Sequence, residues 1–144
     1  HMSLQVICND KVNQLRHVRY FEQAGGLRQH MQKHAALLRP KFEVVLEVLG
    51  RELDGLALAT WTRPLGGYFI SLDAPKGCAK RVIALCKDAG VIMTPAGATY
   101  PYGNDPEDRN SRIAPSVPTV DELRQAAELP FLCVNIAGVE QLLA

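Results

Sequence analysis

Arg112 lies at a position in the sequence where its side chain could bind a ligand. Arg112 follows a long polar loop and precedes the apolar run Ile113-Ala114-Pro115. A guanidinium at the edge of a partly dry cleft is a natural receptor for a carboxylate, because its planar fork donates to both oxygens. A structural salt bridge to Asp105, Glu107 or Asp108 is an equally good explanation of the same residue. The residues alone leave both alternatives open.

Two histidines have the spacing of a metal-binding pair. His30 and His34 are four residues apart, so on a helix they share one face and could share an ion. The residues between them are Met31, Gln32 and Lys33, so the glutamate of the zinc-protease motif is missing. A third ligand is not evident, and the neighbouring lysine opposes a cation. We therefore expect two surface histidines and no metal site.

Other catalytic patterns fail on inspection. The acidic cluster after Asn104 does not make a calcium loop, because Asn110 stands where the glycine is required and Ser116 where the glutamate is required. No nucleophile elbow, Walker sequence or dinucleotide-binding glycine motif occurs. Cys78 and Cys86 lie along a predicted amphipathic helix, where burial is expected rather than nucleophilic chemistry. None of these patterns therefore indicates a catalytic site.

The composition is that of one ordinary globular domain. The chain has 144 residues, of which 47% are hydrophobic and 22% charged. No apolar run approaches the length that spans a bilayer, and no signal peptide is evident. The four cysteines form no C-x-x-C pair, which favours reduced thiols and a cytoplasmic location. His1-Met2 is interpreted as the remnant of an expression tag.

Charge is unevenly distributed along the chain. Residues 1–42 carry seven Lys or Arg against two acidic residues, a net charge of +5, and the remainder is −4. A basic third can bind nucleic acid. The basic residues here are scattered and lack interleaved aromatic residues, so we expect a solvated helix face rather than a nucleic-acid interface.

Hydrophobic periodicity indicates the elements that must position Arg112. Apolar spacings of three, four and seven predict a helix from Leu27 to Leu53, with a kink or a junction of two helices near Pro40. Two strands, 56–62 and 68–73, are predicted to form an antiparallel hairpin. A helix opening at Pro75-Lys76 and ending at Gly90 follows.

The sequence pattern in the second half of the chain predicts shorter elements. Strands are expected at 91–94 and 111–114, separated by the long loop 95–109. A capping box from Thr119 to Glu122 predicts a helix starting at Val120, broken by Pro130, and a last helix over 131–143. The expected fold class is α+β, a small, mostly antiparallel sheet of three to four strands with helices on one face.

Three segments together resemble class I aminotransferases that depend on pyridoxal 5'-phosphate (PLP). Residues 64–69 (PLGGYF) resemble the P-x-G-G-[YMF]-F hairpin of that family, and residues 90–97 (GVIMTPAG) resemble its G-V-x-x-x-P-G segment. Residues 110–113 (NSRI) are similar to the N-x-x-R-[LI] strand. The three segments occur in the family's order, and the likeness is greatest to the group labelled MocR-like aminotransferases.

The resemblance implies the C-terminal small domain of such an enzyme. Arg112 would then bind the α-carboxylate of an amino acid or 2-oxo acid, with Asn110, Tyr100 and Tyr102 as further candidate substrate-binding residues. The Schiff-base lysine and the phosphate-binding groups belong to the family's large domain, and no lysine here has the family's S-x-x-K context. The resemblance therefore implies PLP and a large domain in a parent protein, no cofactor on this chain alone and no activity of its own.

The resemblance also divides the chain and suggests its partners. We expect a lead-in segment over residues 3–26 and the small domain over 27–144. Homodimer formation is expected, and neither a membrane nor nucleic acid is an expected partner. The alternative is that the chain serves as the ligand-binding or dimerisation domain of an aminotransferase-like transcription regulator.

Overall fold

The computed structural model describes residues 10–143. Its regular elements, in chain order, are α1 (Lys11–Gln23), α2 (Gly26–Leu53), β1 (Thr60–Trp61), β2 (Ile70–Asp73), α3 (Ala79–Asp88), β3 (Asn110–Ile113), α4 (Val120–Ala126) and α5 (Glu128–Leu143). The interpretations of His1-Met2, of the start of the lead-in segment and of Cys8 lie outside the described residues.

The described chain divides into two compact units, one ending at Leu37 and the other beginning at Leu38. In the first unit, α1 occupies a stretch where the sequence shows only weak periodicity. None of its side chains is buried, and its apolar residues Val12, Leu15 and Val18 are each more than half exposed. Its start is marked instead by Asp10, whose side chain accepts a hydrogen bond from the Asn13 amide at 3.0 Å.

Helix α2 runs without a break past Pro40, so the alternative of two separate helices is wrong. Proline removes one backbone donor inside a helix, but tertiary packing can outweigh that local cost. The buried side chains of α2 all follow Pro40, and they are Val44, Val45, Val48, Leu49 and Leu53. Gly55, with φ of 82°, ends the turn after the helix, where the sequence predicts an end.

The sheet is antiparallel, with strand order β1-β2-β3. The hairpin predicted from the sequence is present, but both strands are shorter than expected because only Thr60 and Trp61 pair with β2. The strand predicted at 91–94 is wrong. This segment forms no ladder with the described residues, and its first amide, Val91 N–H, closes the end of α3 by donating to the Cys86 carbonyl at 2.8 Å.

Two helix starts differ from the sequence expectation. Helix α3 begins at Ala79 rather than Pro75, because Gly77 has φ of 80° and donates its N–H to the Glu107 carbonyl. The capping box at Thr119 and Glu122 is confirmed. The break expected at Pro130 is wrong, since the helices part at Ala127 and Pro130 lies in the first turn of α5. A proline is tolerated there because first-turn amides have no partner within the helix.

The core lies between the helices of the second unit and one face of the sheet. Its largest fully buried side chains include Phe131, Leu49, Leu53, Ile70 and Leu72. Burying such side chains contributes about 1.5–3 kcal/mol each. The predicted α+β class with a small antiparallel sheet is confirmed, and the sheet has three strands within the described residues.

The stretch Val120–Leu143 is long and apolar enough, by length and composition, to cross a membrane. The sequence expectation that no run approaches this length is therefore too strict. In this structure, however, its two helices contribute Leu123, Phe131 and Val134 to the core. A core helix of a soluble protein passes the same test, so the stretch is weak evidence for a membrane span.

Candidate functional site

The sheet has an apolar face and a polar face. Ile70 and Leu72 of β2 are buried in the core, and alternation along a strand sends Ser71 and Asp73 to the opposite face. In the antiparallel register Ser71 is paired with Arg112, and Asp73 with Asn110. Directly opposed residues share a face. Arg112 and Asn110 therefore stand on the polar face, away from the helices that build the core.

The Asn110 side chain is the centre of a hydrogen-bond network on this face. Its Nδ2 donates to Ser71 Oγ at 2.8 Å and to Asp73 Oδ1 at 2.6 Å. Its Oδ1 accepts from Thr99 Oγ1 at 2.5 Å. Both donors and one acceptor position are thus used within the protein. The network ties the long loop, through Thr99, to both strands that carry the polar face.

Asp105 holds the end of the same loop. Its carboxylate accepts backbone N–H bonds from Asn110 and Arg109 at 2.8 Å each, and from Glu107 at 3.0 Å. These bonds favour the ionised form, so they lower the pKa of Asp105 below its ordinary value of 3.8. Earlier in the loop, Gly97 has φ of 79°, and a Cβ there would collide with the Gly103 carbonyl. These contacts restrict the conformation of the loop.

The salt-bridge partners considered for Arg112 are all engaged elsewhere. Asp105 binds the loop backbone, Glu107 pairs with Lys76 at 3.2 Å and Arg109 at 3.4 Å, and Asp108 accepts from the Lys80 amide. Among the described residues, Arg112 forms no ion pair. Its Nε is buried without a hydrogen-bond partner in this part of the chain.

Phe69 supports the guanidinium of Arg112. The carbon Cζ of Arg112 lies 4.1 Å from the centre of the Phe69 ring, within the range of a cation–π contact. Phe69 immediately precedes β2 and is partly exposed, so its ring can cover one face of the guanidinium plane. Phe69 was predicted only as part of the hairpin motif and not as a residue of the site. The last aromatic residue of that hairpin motif was the available signal.

A mostly apolar cleft lies beside Arg112. It has a volume of about 180 Å³, and its wall includes Ile92, Met93, Arg112, Pro118 and Phe131. Arg112 is the one charged residue in its lining.

The two candidate tyrosines lie apart from this cleft. Tyr100 is partly exposed, and the side chain of Tyr102 is fully exposed on the turn Pro101–Gly103, where its φ is 59°. Neither contributes to the cleft lining. The structure therefore brings Asn110 and Arg112 together on one sheet face and leaves Tyr100 and Tyr102 on the adjoining loop. Their contact with a substrate stays a prediction.

Cysteine and lysine side chains of the second unit serve the fold. Cys78, Cys86 and Cys133 are free and buried, and burial beside Cys133 raises the pKa of Cys86 to about 12. Lys41 donates to the Ser116 carbonyl at 2.7 Å, and Lys76 pairs with Glu107. The burial of the three cysteines agrees with the expectation that they are core residues rather than nucleophiles.

The whole chain, residues 1–144, matches the family model described as aspartate amino-transferase, so the chain belongs to this family. An aspartate aminotransferase of Corynebacterium glutamicum is 50% identical over 140 residues, which are 97% of this chain and 32% of that protein. The crystal structure of an aspartate transaminase from the same organism superposes with a TM-score of 0.88 and 50% identity. It covers 98% of this chain and 33% of the solved chain.

More distant structures share the fold. A multiple substrate aminotransferase of Thermococcus profundus superposes with a TM-score of 0.72 at 20% identity, covering 85% of this chain and 29% of that one. The chain thus spans about a third of the length of the relatives it matches. The narrower MocR-like grouping stays a prediction.

Proposed function

We propose that this chain is the C-terminal small domain of a PLP-dependent aminotransferase, in which Arg112 binds the α-carboxylate of the amino acid or 2-oxo acid. Membership of the aspartate aminotransferase family supports the reaction class. The threefold greater length of the relatives supports a further domain in the parent protein. Aspartate, which the name of the Corynebacterium relative specifies, is the first substrate to test.

The observation that carries this proposal is the state of Arg112. Its guanidinium lies on the polar sheet face with no carboxylate partner among the described residues and rests against Phe69. A half-buried arginine without an anion is a poor structural element, because its positive charge is partly desolvated without compensation. A carboxylate ligand would supply that compensation through two parallel hydrogen bonds.

Anchoring the carboxylate has a mechanical consequence for amino transfer. PLP, when bound in the parent enzyme, supplies an electron sink for the bond broken at Cα. Arg112 contributes position: a substrate held by both carboxylate oxygens cannot rotate freely, so its Cα–H bond keeps one direction. Phe69 limits the tilt of the guanidinium plane. No proton transfer is assigned to a residue of this chain.

The remaining candidates have supporting roles in the proposal. Asn110 keeps β3 in register with β2 through Ser71 and Asp73, and this places Arg112 two residues further along the strand. The exposed Tyr100 and Tyr102 remain candidates for contact with substrate or with the large domain. We place the small domain at residues 27–144, preceded by a lead-in segment, in a cytoplasmic homodimer.

The kinetic test uses a full-length enzyme that contains this chain. Arg112→Lys keeps the charge but loses the planar fork, so KM for aspartate should rise by about tenfold to a hundredfold, equivalent to about 1.4–2.8 kcal/mol. The absorbance of bound PLP should not change. Arg124→Lys on α4 is the matched control and should leave KM unchanged. An unaltered KM in Arg112→Lys contradicts the carboxylate role.

The chain by itself should lack transaminase activity. It should also form no PLP adduct that borohydride reduces at a single lysine, because the Schiff-base lysine is assigned to the large domain. Mass spectrometry after incubation with PLP and borohydride tests this directly. A stoichiometric adduct on one lysine would contradict the assignment of this chain as the small domain alone.

A further inference from the structure

Two histidine rings meet on the first turns of α2. His30 and His34 leave the same face of the helix, with their Nε2 atoms 3.0 Å apart and their ring centroids 4.5 Å apart. Zinc binds imidazole nitrogen at about 2.0–2.1 Å, so two nitrogens in neighbouring coordination positions lie about 3 Å apart. The spacing of the two Nε2 atoms therefore suits both of them binding one ion.

Contacts with two aromatic residues of α1 orient the His30 ring without an ion. It lies edge-on to Tyr20 and Phe21, with centroid distances of 5.6 and 5.3 Å. The Tyr20 hydroxyl is 3.5 Å from His30 Nδ1 and can accept its proton. A partner of this kind on the second ring nitrogen is what orients metal-binding histidines. His34 is exposed, which leaves room for an ion and its water ligands.

The ligand type restricts the kind of ion, whereas the basic surroundings weaken the binding of every cation. Lys33 is next to His34, and α1 with the first turns of α2 carries more basic than acidic residues. Magnesium and calcium need carboxylate or carbonyl oxygens, which this pair lacks. Imidazole nitrogens instead suit zinc, nickel and copper, which tolerate a site without anionic ligands.

We propose that His30 and His34 form a two-histidine site for a divalent transition metal of the zinc, nickel and copper class, completed by water. In the absence of an ion, one Nε2–H donates to the other Nε2, which accounts for the same distance. Metal binding replaces that shared proton. The site lies wholly in the first compact unit and does not involve Arg112.

The test is a calorimetric titration of the 144-residue chain with zinc chloride. Every protein carries His1→Ser, because an N-terminal histidine offers an imidazole and an amine to the same ions. One zinc ion should bind per chain, and His30→Ala or His34→Ala should weaken binding by at least about tenfold. The control His17→Ala, on an α1 histidine whose Nδ1 lies 2.8 Å from the Asn13 carbonyl oxygen, should bind as the parent does.

Several outcomes would overturn the site. These are no zinc binding at millimolar ion, an affinity of the His30→Ala and His34→Ala proteins equal to that of the parent, or a loss in His17→Ala as large as theirs. One zinc per two chains would also contradict a site within a single chain. Circular dichroism checks that the variants keep their helix content, and His34→Gln repeats the test with a polar side chain at the exposed position. Magnesium chloride should give no binding heat.

Discussion

Around Arg112, each neighbouring carboxylate has another partner. Asp105 accepts three backbone amides, Glu107 is shared by Lys76 and Arg109, and Asp108 accepts from the Lys80 amide. Composition and spacing could not decide between a salt bridge and a ligand-binding role, because both alternatives place the same acids near the same arginine. The difference depends on which way each side chain turns within the loop.

Asp105→Asn tests the loop at this scale. The change leaves an amide that can accept through one atom only, so backbone N–H groups of Arg109, Asn110 or Glu107 lose their partner. We expect the midpoint of thermal unfolding to fall by about 5 °C. Asp54→Asn, at an exposed carboxylate after α2, is the control and should leave the midpoint unchanged.

The same variant has a defined pH dependence. The folded pKa of Asp105 is lowered, so its ionised form contributes stability above the ordinary value of 3.8, and this contribution is lost as pH falls through the folded pKa. The difference in stability between the parent chain and Asp105→Asn should therefore be constant near neutral pH and shrink below pH 3.8. A difference that persists in full under acid conditions would contradict the assignment.

At the scale of elements, the capping box and the hairpin were predicted correctly, whereas the strand at 91–94 and the break at Pro130 were not. The capping box of α4 needs only Thr119 and Glu122, and it forms as predicted. Residues 91–94 have strand-like composition but no neighbouring strand among the described residues, and β propensity without pairing does not make a strand. The helix break predicted at Pro130 was wrong because a proline disrupts a helix interior but is tolerated in a first turn.

The capping box gives a direct stability prediction. Thr119→Ala removes the hydroxyl that accepts the Glu122 amide, so the free energy of unfolding should fall by about 1 kcal/mol. Urea denaturation at neutral pH measures it. Ser116→Ala provides a nearby control, since this serine takes part in the fold through its carbonyl rather than its hydroxyl. Equal losses in both variants would argue against a specific capping effect.

The packing of α3 against α5 predicts the reactivity of the buried thiols. Raising the pKa of Cys86 from 9.0 to about 12 lowers its thiolate population at pH 8 by about a thousandfold. Iodoacetamide should therefore leave Cys86 unmodified in the native chain and label it after unfolding, as peptide mass spectrometry would show. Rapid native labelling of Cys86 would mean that the contact between these helices opens readily.

At the scale of the whole molecule, the second unit keeps apolar surface exposed. Leu132, Ile136, Val139 and Leu143 follow one another at spacings of four, three and four along α5, and each is at least 40% exposed. Solvent-facing stripes of this kind promote association. The fold class could be predicted from hydrophobic patterns and the motif order, but the polar sheet face could not, because it depends on the register between β2 and β3. The division at Leu37 could not, because one helical pattern runs through it.

Self-association is the corresponding prediction for the isolated chain. Sedimentation velocity should show a concentration-dependent shift to larger species, and Leu132→Ser with Val139→Ser should reduce it. Val117→Ser, at an exposed apolar residue outside α5, is the matched control and should have no effect. A strict monomer at high concentration would contradict the expectation, as would an equal effect of the control.

The central claim is that Arg112 recognises a carboxylate, and one comparison of affinities tests it most directly. In the full-length enzyme, dissociation constants are measured for an amino acid and for its α-carboxamide, with the parent protein and with Arg112→Lys. The parent should prefer the acid by at least about tenfold, because only the acid accepts both guanidinium bonds with a full negative charge. Arg112→Lys should lose most of that preference. An unchanged preference in Arg112→Lys would show that another residue binds the carboxylate.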